Sequence, residues 1–138
     1  MPKKRNIGKT NRTKGHNAER YYASFFRELG YKFCKTARQA SRLHDDCGID
    51  LMFLPFLVQI KAGKQRGLKR ADTLQYIEDK VNENFPQESL EHNMPKLLIE
   101  RKDPGKGKKR TQYHDTVMMT IEDFIKIINL IKNDTQIK

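Results

Sequence analysis

The sequence predicts a single mixed α/β domain, and three observations carry that expectation. Two apolar runs, Ile49–Leu54 and Phe56–Ile60, flank Pro55 and have the length and residue types of buried strands. Two segments, 16–29 and 68–84, place apolar residues at helical spacing instead. Two shorter strand-like runs, Lys96–Glu100 and Thr116–Met119, then lead into a last amphipathic helix. With 138 residues the chain has the length of one domain and can bury a core without disulfides. The order helix, three strands, helix, strand, strand, helix defines the mixed class.

The elements follow in chain order. Residues 1–14 are polar and basic without periodicity and read as a flexible arm; 15–132 form the domain, and 133–138 a tail. In HNAERYYASFFREL, residues 16–29, Ala18, Tyr22, Phe25 and Leu29 share one helical face, Asn17 is placed to cap the start and Gly30 to end the helix. Glu19 lies in its first turn, where a carboxylate suits the helix dipole. The spacing of Tyr21, Tyr22, Phe25 and Phe26 assigns most of them to the core rather than to stacking on bases. Tyr31–Thr36 reads as a strand, and ARQASRLHDDCG (37–48) as a polar loop in which Asp45 and Asp46 are turn residues. Leu74, Ile77 and Val81 mark the inner face of the second helix. The stretch 86–93 reads as a loop or short helix, and DPGKGKKR (103–110) as a glycine-rich basic loop. Thr120 caps the final helix, and Phe124, Ile125, Ile128 and Ile131 form its expected buried face.

Composition narrows the function. The formal net charge is +11, and segments 1–18, 61–70 and 101–110 carry seventeen of the 28 Lys and Arg. Basic residues gathered into an arm and two loops favour phosphate contacts over general solubility. No apolar run has the length of a membrane span, and no apolar core of a signal peptide follows the basic start, so a cytoplasmic, intracellular location is expected. Cys34 and Cys47 read as reduced thiols. His44 and Cys47 form an HxxC pair, but no second pair completes a zinc site. GKT at 8–10 lacks the glycine and preceding strand of a P-loop.

The chemistry concentrates in GIDLMFLPFLVQIKAG, residues 48–63. A two-residue turn at Pro55–Phe56 sets Asp50 opposite Lys61; a turn at Leu54–Pro55 sets it opposite Gln59. Either way Asp50, Gln59 and Lys61 share one face at one end of the hairpin, whereas an odd-length turn breaks this unless a bulge restores register. The bland account is an Asp50–Lys61 cross-strand ion pair with Gln59 at its rim. The functional account is a Mg²⁺ site for phosphodiester hydrolysis. In it Asp50 is a hard oxygen ligand, the Gln59 amide oxygen or the Ile60 carbonyl a second, Glu19 the further carboxylate, and Lys61 a cation beside the scissile phosphate. His16 and His44 are not required by such chemistry.

KGHNAER (14–20), GID (48–50) and QIK (59–61), in that order, resemble the PD-(D/E)XK nuclease superfamily, and within it the archaeal-type and phage Holliday junction resolvases. LLIERKD (97–103) and VMMTIEDFIKII (117–128) resemble the strand and strand–helix unit that close that fold, so the resemblance spans about residues 14–131. It implies a restriction-endonuclease-like core, a mixed central β-sheet flanked by helices. It also implies Mg²⁺ dependence with Mn²⁺ able to substitute, and a homodimer that cuts two strands of a four-way DNA junction symmetrically. Carried over residue by residue, Glu19 matches the helix glutamate, Asp50 the strand aspartate, Gln59 the position usually held by Glu, and Lys61 the lysine. Ser41 and Arg38 fall where resolvases place a phosphate-contacting serine and basic residues. Ile49 stands where the family has proline, and Gln59 lowers the negative charge of the site. Expected DNA contacts are Lys14, Arg20, Arg38, Ser41, Lys64, Arg66, Lys69, Arg70, Lys106, Lys108, Lys109 and Arg110. A small basic resolvase would suit a phage, acting in the host cytoplasm, or a nucleoid. The alternatives are a restriction-like or repair nickase of the same superfamily, or a non-catalytic nucleic-acid-binding protein on the same fold.

Overall fold

The computed structural model describes residues 7–62, 70–102 and 114–136. In order these form α1 (Ile7–Glu28), β1 (Lys35–Thr36), α2 (Ala37–Ala40), α3 (Arg42–Asp46), β2 (Leu51–Met52), β3 (Leu57–Ala62), α4 (Arg70–Asn84), a 3-10 turn (Leu90–Asn93), β4 (Lys96–Arg101), β5 (Thr116–Met118) and α5 (Ile121–Gln136). The protein is a mixed α/β structure with two small sheets. One is the antiparallel pair β1–β2; the other has the order β3-β4-β5, with β3 parallel to β4 and β4 antiparallel to β5. No helix among the described residues is long and apolar enough to cross a membrane.

The unit β3–α4–β4 follows from the apolar runs at 57–60 and 97–99, each buried on both faces as parallel strands are. Leu57 meets Ile77 and Val81 of α4, while Val58, Ile60, Leu97 and Ile99 pack with Ala18, Tyr22 and Phe26 of α1. The sheet therefore lies between α1 and α4. The expected inner faces hold for Ala18 and Tyr22 and for Leu74, Ile77 and Val81. On α1, however, Phe26 takes the fully buried place and Leu29 is exposed. A run of edge-on ring contacts through Tyr21, Tyr22, Phe25, Phe26 and Phe56 fills this side of the core. The Tyr22 hydroxyl donates to Asp115, and burial first, then that carboxylate, push its proton affinity up. Both cysteines are free and buried.

Several boundaries differ from the sequence reading. Helix α1 starts at Ile7, inside the expected 1–14 arm, so Asn17 lies in mid-helix and bonds Arg20 instead of capping. Gly30 ends α1 as expected: at φ 116° it lets Gly30 N–H reach Arg27 and Tyr31 N–H reach Phe26, closing the last turn. The strand at 31–36 shrinks to Lys35–Thr36, and the 37–48 loop is instead two short helices joined at Ser41. Helix α5 runs to Gln136, through most of the expected tail.

The expected hairpin is also not a regular ladder. Phe53 takes φ 66° and Pro55 has no N–H to give, so pairing cannot propagate from the turn. Strand β2 pairs with β1, Thr36 with Leu51 and Lys35 with Met52; it packs on β3 through Leu51, beside Val58 and Ile60, and Asp50 just before it makes hydrogen bonds to the β3 backbone.

Helix α5 is rotated from the expected orientation. Thr120 caps it through Asp123 N–H at 3.2 Å, as expected. Asp123 itself faces inward, 6 % exposed, and accepts the Lys96 N–H at 3.1 Å. With Asp123 and Ile127 turned to the core, Phe124, Ile125 and Ile131 face outward and are exposed, which corrects the expected buried face. The side chain of Asp123 thus ties the start of β4 to the start of α5. Replacing it, Asp123→Ala, leaves a buried N–H without its acceptor and should cost about 1–3 kcal/mol in urea unfolding; an unchanged midpoint would show the contact to be dispensable.

Candidate active site

Three elements converge at the outer edge of β3, the edge turned away from β4. Asp50 stands one residue before β2. Its N–H donates to the Val58 carbonyl at 2.7 Å, and its carboxylate Oδ2 accepts the Ile60 N–H at 2.7 Å. Asp50 therefore brackets Gln59, bonded to the residue on either side. Its own carbonyl accepts the Ala37 N–H at 2.7 Å, which fastens the start of α2 to the same point. Gly48, two residues earlier, turns the chain into this position at φ 82°, and a Cβ there would stand 3.2 Å from Gln59 Nε2.

The Asp50 carboxylate is largely withdrawn from water. Burial pushes its pKa up to about 7, the Ile60 N–H opposes that, the Glu19 charge raises it and the Lys61 charge lowers it. Both ionic partners named from the sequence thus act on Asp50. Glu19, 7 % exposed on α1, bonds Arg38 of α2 at 3.3 Å. Lys61 is half-buried near the end of β3. Arg38 in turn feels the charges of Glu19, Asp45 and Asp50. The site is a group of opposed charges around one carboxylate, not the isolated Asp50–Lys61 ion pair.

Gln59 is buried, and its Oε1 has no hydrogen-bond partner among the described residues. An orphaned amide oxygen costs about 1–3 kcal/mol, which a cation ligand would offset. Strand residues point both backbone groups the same way, so Ile60 presents its carbonyl to the Asp50 edge beside its N–H. Asp50, Glu19, the Gln59 amide and the Ile60 carbonyl offer only oxygen donors, a chemistry that fits Mg²⁺ or Mn²⁺ better than softer metals; Glu19 comes from the α1 side, whereas the Gln59 side chain lies beside Gly48, where Tyr76 of α4 also approaches. No group of three or more His, Cys, Asp or Glu side chains forms a metal cluster among the described residues. His44 and Cys47 diverge: the Cys47 thiol lies against the Lys80 carbonyl of α4, and His44 turns elsewhere.

A chain of polar contacts that sequence reasoning missed borders the site. Ser41, between α2 and α3, lies 2.6 Å from His44 Nδ1, and His44 Nε2 lies 3.1 Å from Glu91 Oε1. Burial opposes ionisation of Glu91, but bonds from Ser89, its own backbone and His44 together hold its carboxyl below the usual range. Ser41 also accepts the His44 N–H, capping α3. An ST-type cap at Ser41 was detectable locally; Glu91, 47 residues from His44, carried no local signal.

The expected DNA contacts divide. Arg38 and Ser41 border the site; Lys14 and Arg20 are exposed on α1. Arg70 begins α4. Lys64, Arg66, Lys69, Lys106, Lys108, Lys109 and Arg110 lie outside the described residues. No protein-family model matches the chain, and no curated protein or solved structure is significantly similar to it.

The raised carboxyl has a consequence for stability. Folded Asp50 holds its proton to about pH 7, whereas in the unfolded chain it loses it near pH ~3.9. Its contribution is therefore whole below the unfolded value and is lost as pH rises through the folded one. In metal-free buffer, the melting temperature of Asp50→Asn should gain on wild type progressively between about pH 4 and pH 7 and then run parallel. Parallel melting curves over the whole range would show that Asp50 titrates normally.

Proposed function

We propose that this protein is a metal-dependent DNA endonuclease with a PD-(D/E)XK-type site on a restriction-endonuclease-like core, acting on four-way junctions by paired symmetric nicks. The observation that carries the reading is the Asp50 edge. There a carboxylate largely withdrawn from water, with raised proton affinity, feels the charges of Glu19 and Lys61 and is bonded to the residues on either side of Gln59, whose amide oxygen lacks a partner among the described residues. These are the residues the sequence resemblance selected, from α1, the turn into β2, and β3.

Asp50, Gln59 and the Ile60 carbonyl would hold Mg²⁺, with Glu19 supplying the second negative charge. When bound, the ion supplies Lewis-acid polarisation of the scissile phosphate. The chain's own residues do the rest. Lys61 places an ammonium where negative charge grows on the phosphoryl oxygens and orients the attacking water. Arg38 holds Glu19 in place and, being half-exposed, presents the rest of its guanidinium to a DNA phosphate. Ser41, oriented by His44 and Glu91, offers a hydroxyl to the neighbouring phosphate. The net charge of +11 draws DNA to this surface with strong salt dependence.

Symmetric cutting requires two copies, and α5 offers a surface for pairing. Ile121, Phe124, Ile125 and Ile131 are exposed along one helical stripe of it. An exposed apolar stripe of this kind suits an interaction site.

Cleavage of a labelled four-way junction with Mg²⁺, beside a linear duplex and a flap of matching sequence, tests the activity. Wild type should nick the junction in pairs. Asp50→Asn and Lys61→Ala should lose at least a hundredfold in rate while still binding, and Gln59→Glu should keep activity. Equal cutting of linear or flapped DNA would assign the site to another nuclease of this type; binding without any cut would leave a DNA-binding protein. Separately, Ile125→Glu should convert a dimer to a monomer in sedimentation velocity and uncouple the two nicks. A wild-type monomer that still makes paired nicks would remove α5 from the account.

A further inference from the structure

The β1–β2 ribbon has two ends. At one, Ala37 bonds Asp50 and the carboxylate site begins. At the other, beyond the Lys35–Met52 pair, lie Phe33 and Phe53. Gly30, Tyr31, Lys32, Phe33, Lys35 and Phe53 line an open cavity of about 560 Å³ there. Phe33 is 78 % exposed and Phe53 58 %. Among the described residues Phe53 is also the non-glycine residue with positive φ, at 66°, a conformation strained for a bulky side chain. The turn thus holds an aromatic ring out in water, at a position where Gly or Asn would sit without strain.

Aromatic faces between exposed lysines are the elements of a single-strand binding surface. Any base can stack on a ring, and the ammonium groups meet the flanking phosphates. The charge balance favours this occupant over an apolar protein segment, because Lys32 and Lys35 flank the rings in a chain of net charge +11. A paired base is already stacked within its duplex and has no face to offer, so the cavity selects unpaired bases. The distance suits the proposed reaction. Asp50 and Phe53 are three residue steps apart along an extended chain, about 10 Å, and a stacked strand advances ~3.4 Å per nucleotide. A base held on Phe53 would lie within a few nucleotides of the phosphate at Asp50.

We infer that Phe33 and Phe53 form a stacking platform for an unpaired nucleobase, with Lys32 and Lys35 on its flanking phosphates, gripping the strand next to the Asp50 site. The placement beside a scissile phosphate rests on the endonuclease reading; the platform itself does not.

The chain has no tryptophan, so Phe33→Trp creates a single reporter ring. Full-length Phe33→Trp in metal-free buffer is titrated with oligo-dT, a fully paired linear duplex and the same duplex carrying a bulge of unpaired dT. Its fluorescence should be quenched by oligo-dT and by the bulged duplex, and at saturation hardly at all by the fully paired duplex. Phe53→Asn, which removes the ring and suits the backbone, should weaken oligo-dT binding about tenfold or more and duplex binding little. Equal quenching by the fully paired duplex, or unchanged oligo-dT affinity in Phe53→Asn, overturns the platform. A Phe33→Ala chain whose sedimentation mass falls below that of wild type also overturns it, because the patch is then a contact between copies. Quenching by oligo-dT in a protein that cuts no DNA supports the platform while the endonuclease reading fails. Cutting without quenching does the reverse.

Discussion

The structure turns on one hydrogen bond, from the Ile60 N–H to the Asp50 carboxylate. Strand β3 is an edge strand, and an exposed edge presents unpaired backbone groups. Here Asp50 covers them, giving its N–H to Val58 and its side chain to Ile60. The same residue accepts the Ala37 N–H, so β1, α2, β2 and β3 meet at one point. No regular ladder joins the two sheets at this edge. A carboxylate stands where a strand carbonyl would otherwise stand, and that substitution puts a charge into the joint of the fold.

The charge is expensive to keep there, and its surroundings explain the residue at position 59. Asp50 is buried near Glu19, with one N–H and the Lys61 ammonium acting in its favour. A glutamate at position 59 would add a third carboxylate beside the bracket that Asp50 makes, at a buried position whose side-chain oxygen has no partner. Without a cation, its burial would cost more than that of an amide. Glutamine keeps the oxygen and removes the charge. In the proposed function this trades metal affinity for stability of the metal-free protein, a physical reason for a departure that sequence alone leaves as an oddity.

What the sequence disclosed follows the reach of each signal. Continuous apolar runs identified β3 and β4, because a strand buried on both faces needs them, and Leu74, Ile77 and Val81 identified the inner face of α4. The polar stretches were opaque. Residues 7–14 continue α1 without an apolar face, and 37–48 form short helices from polar residues, so periodicity had nothing to register in either. Helix α5 shows a different limit. The stripe through Phe124, Ile125 and Ile131 is a true helical stripe, but periodicity does not say what covers it; Asp123, reaching for the Lys96 N–H, decides which side faces in. At the site, Asp50 and Lys61 stood out by their spacing and Glu19 by its place on the first helix, and the charges of Glu19 and Lys61 both act on Asp50. The bracket around Gln59 and the link from His44 to Glu91 were not, since both depend on a tertiary approach that no local pattern encodes.

The joint and the site need not compete for Asp50. A carboxylate has two oxygens and about four acceptor positions. The Ile60 N–H engages Oδ2, and a hard cation bound by a single carboxylate oxygen can take the other. The cation would then stabilise the ionised form that burial and Glu19 disfavour, while the bond that closes the β3 edge persists. The position of Asp50 is accordingly set by the fold before any ligand arrives, and what a ligand changes is its charge.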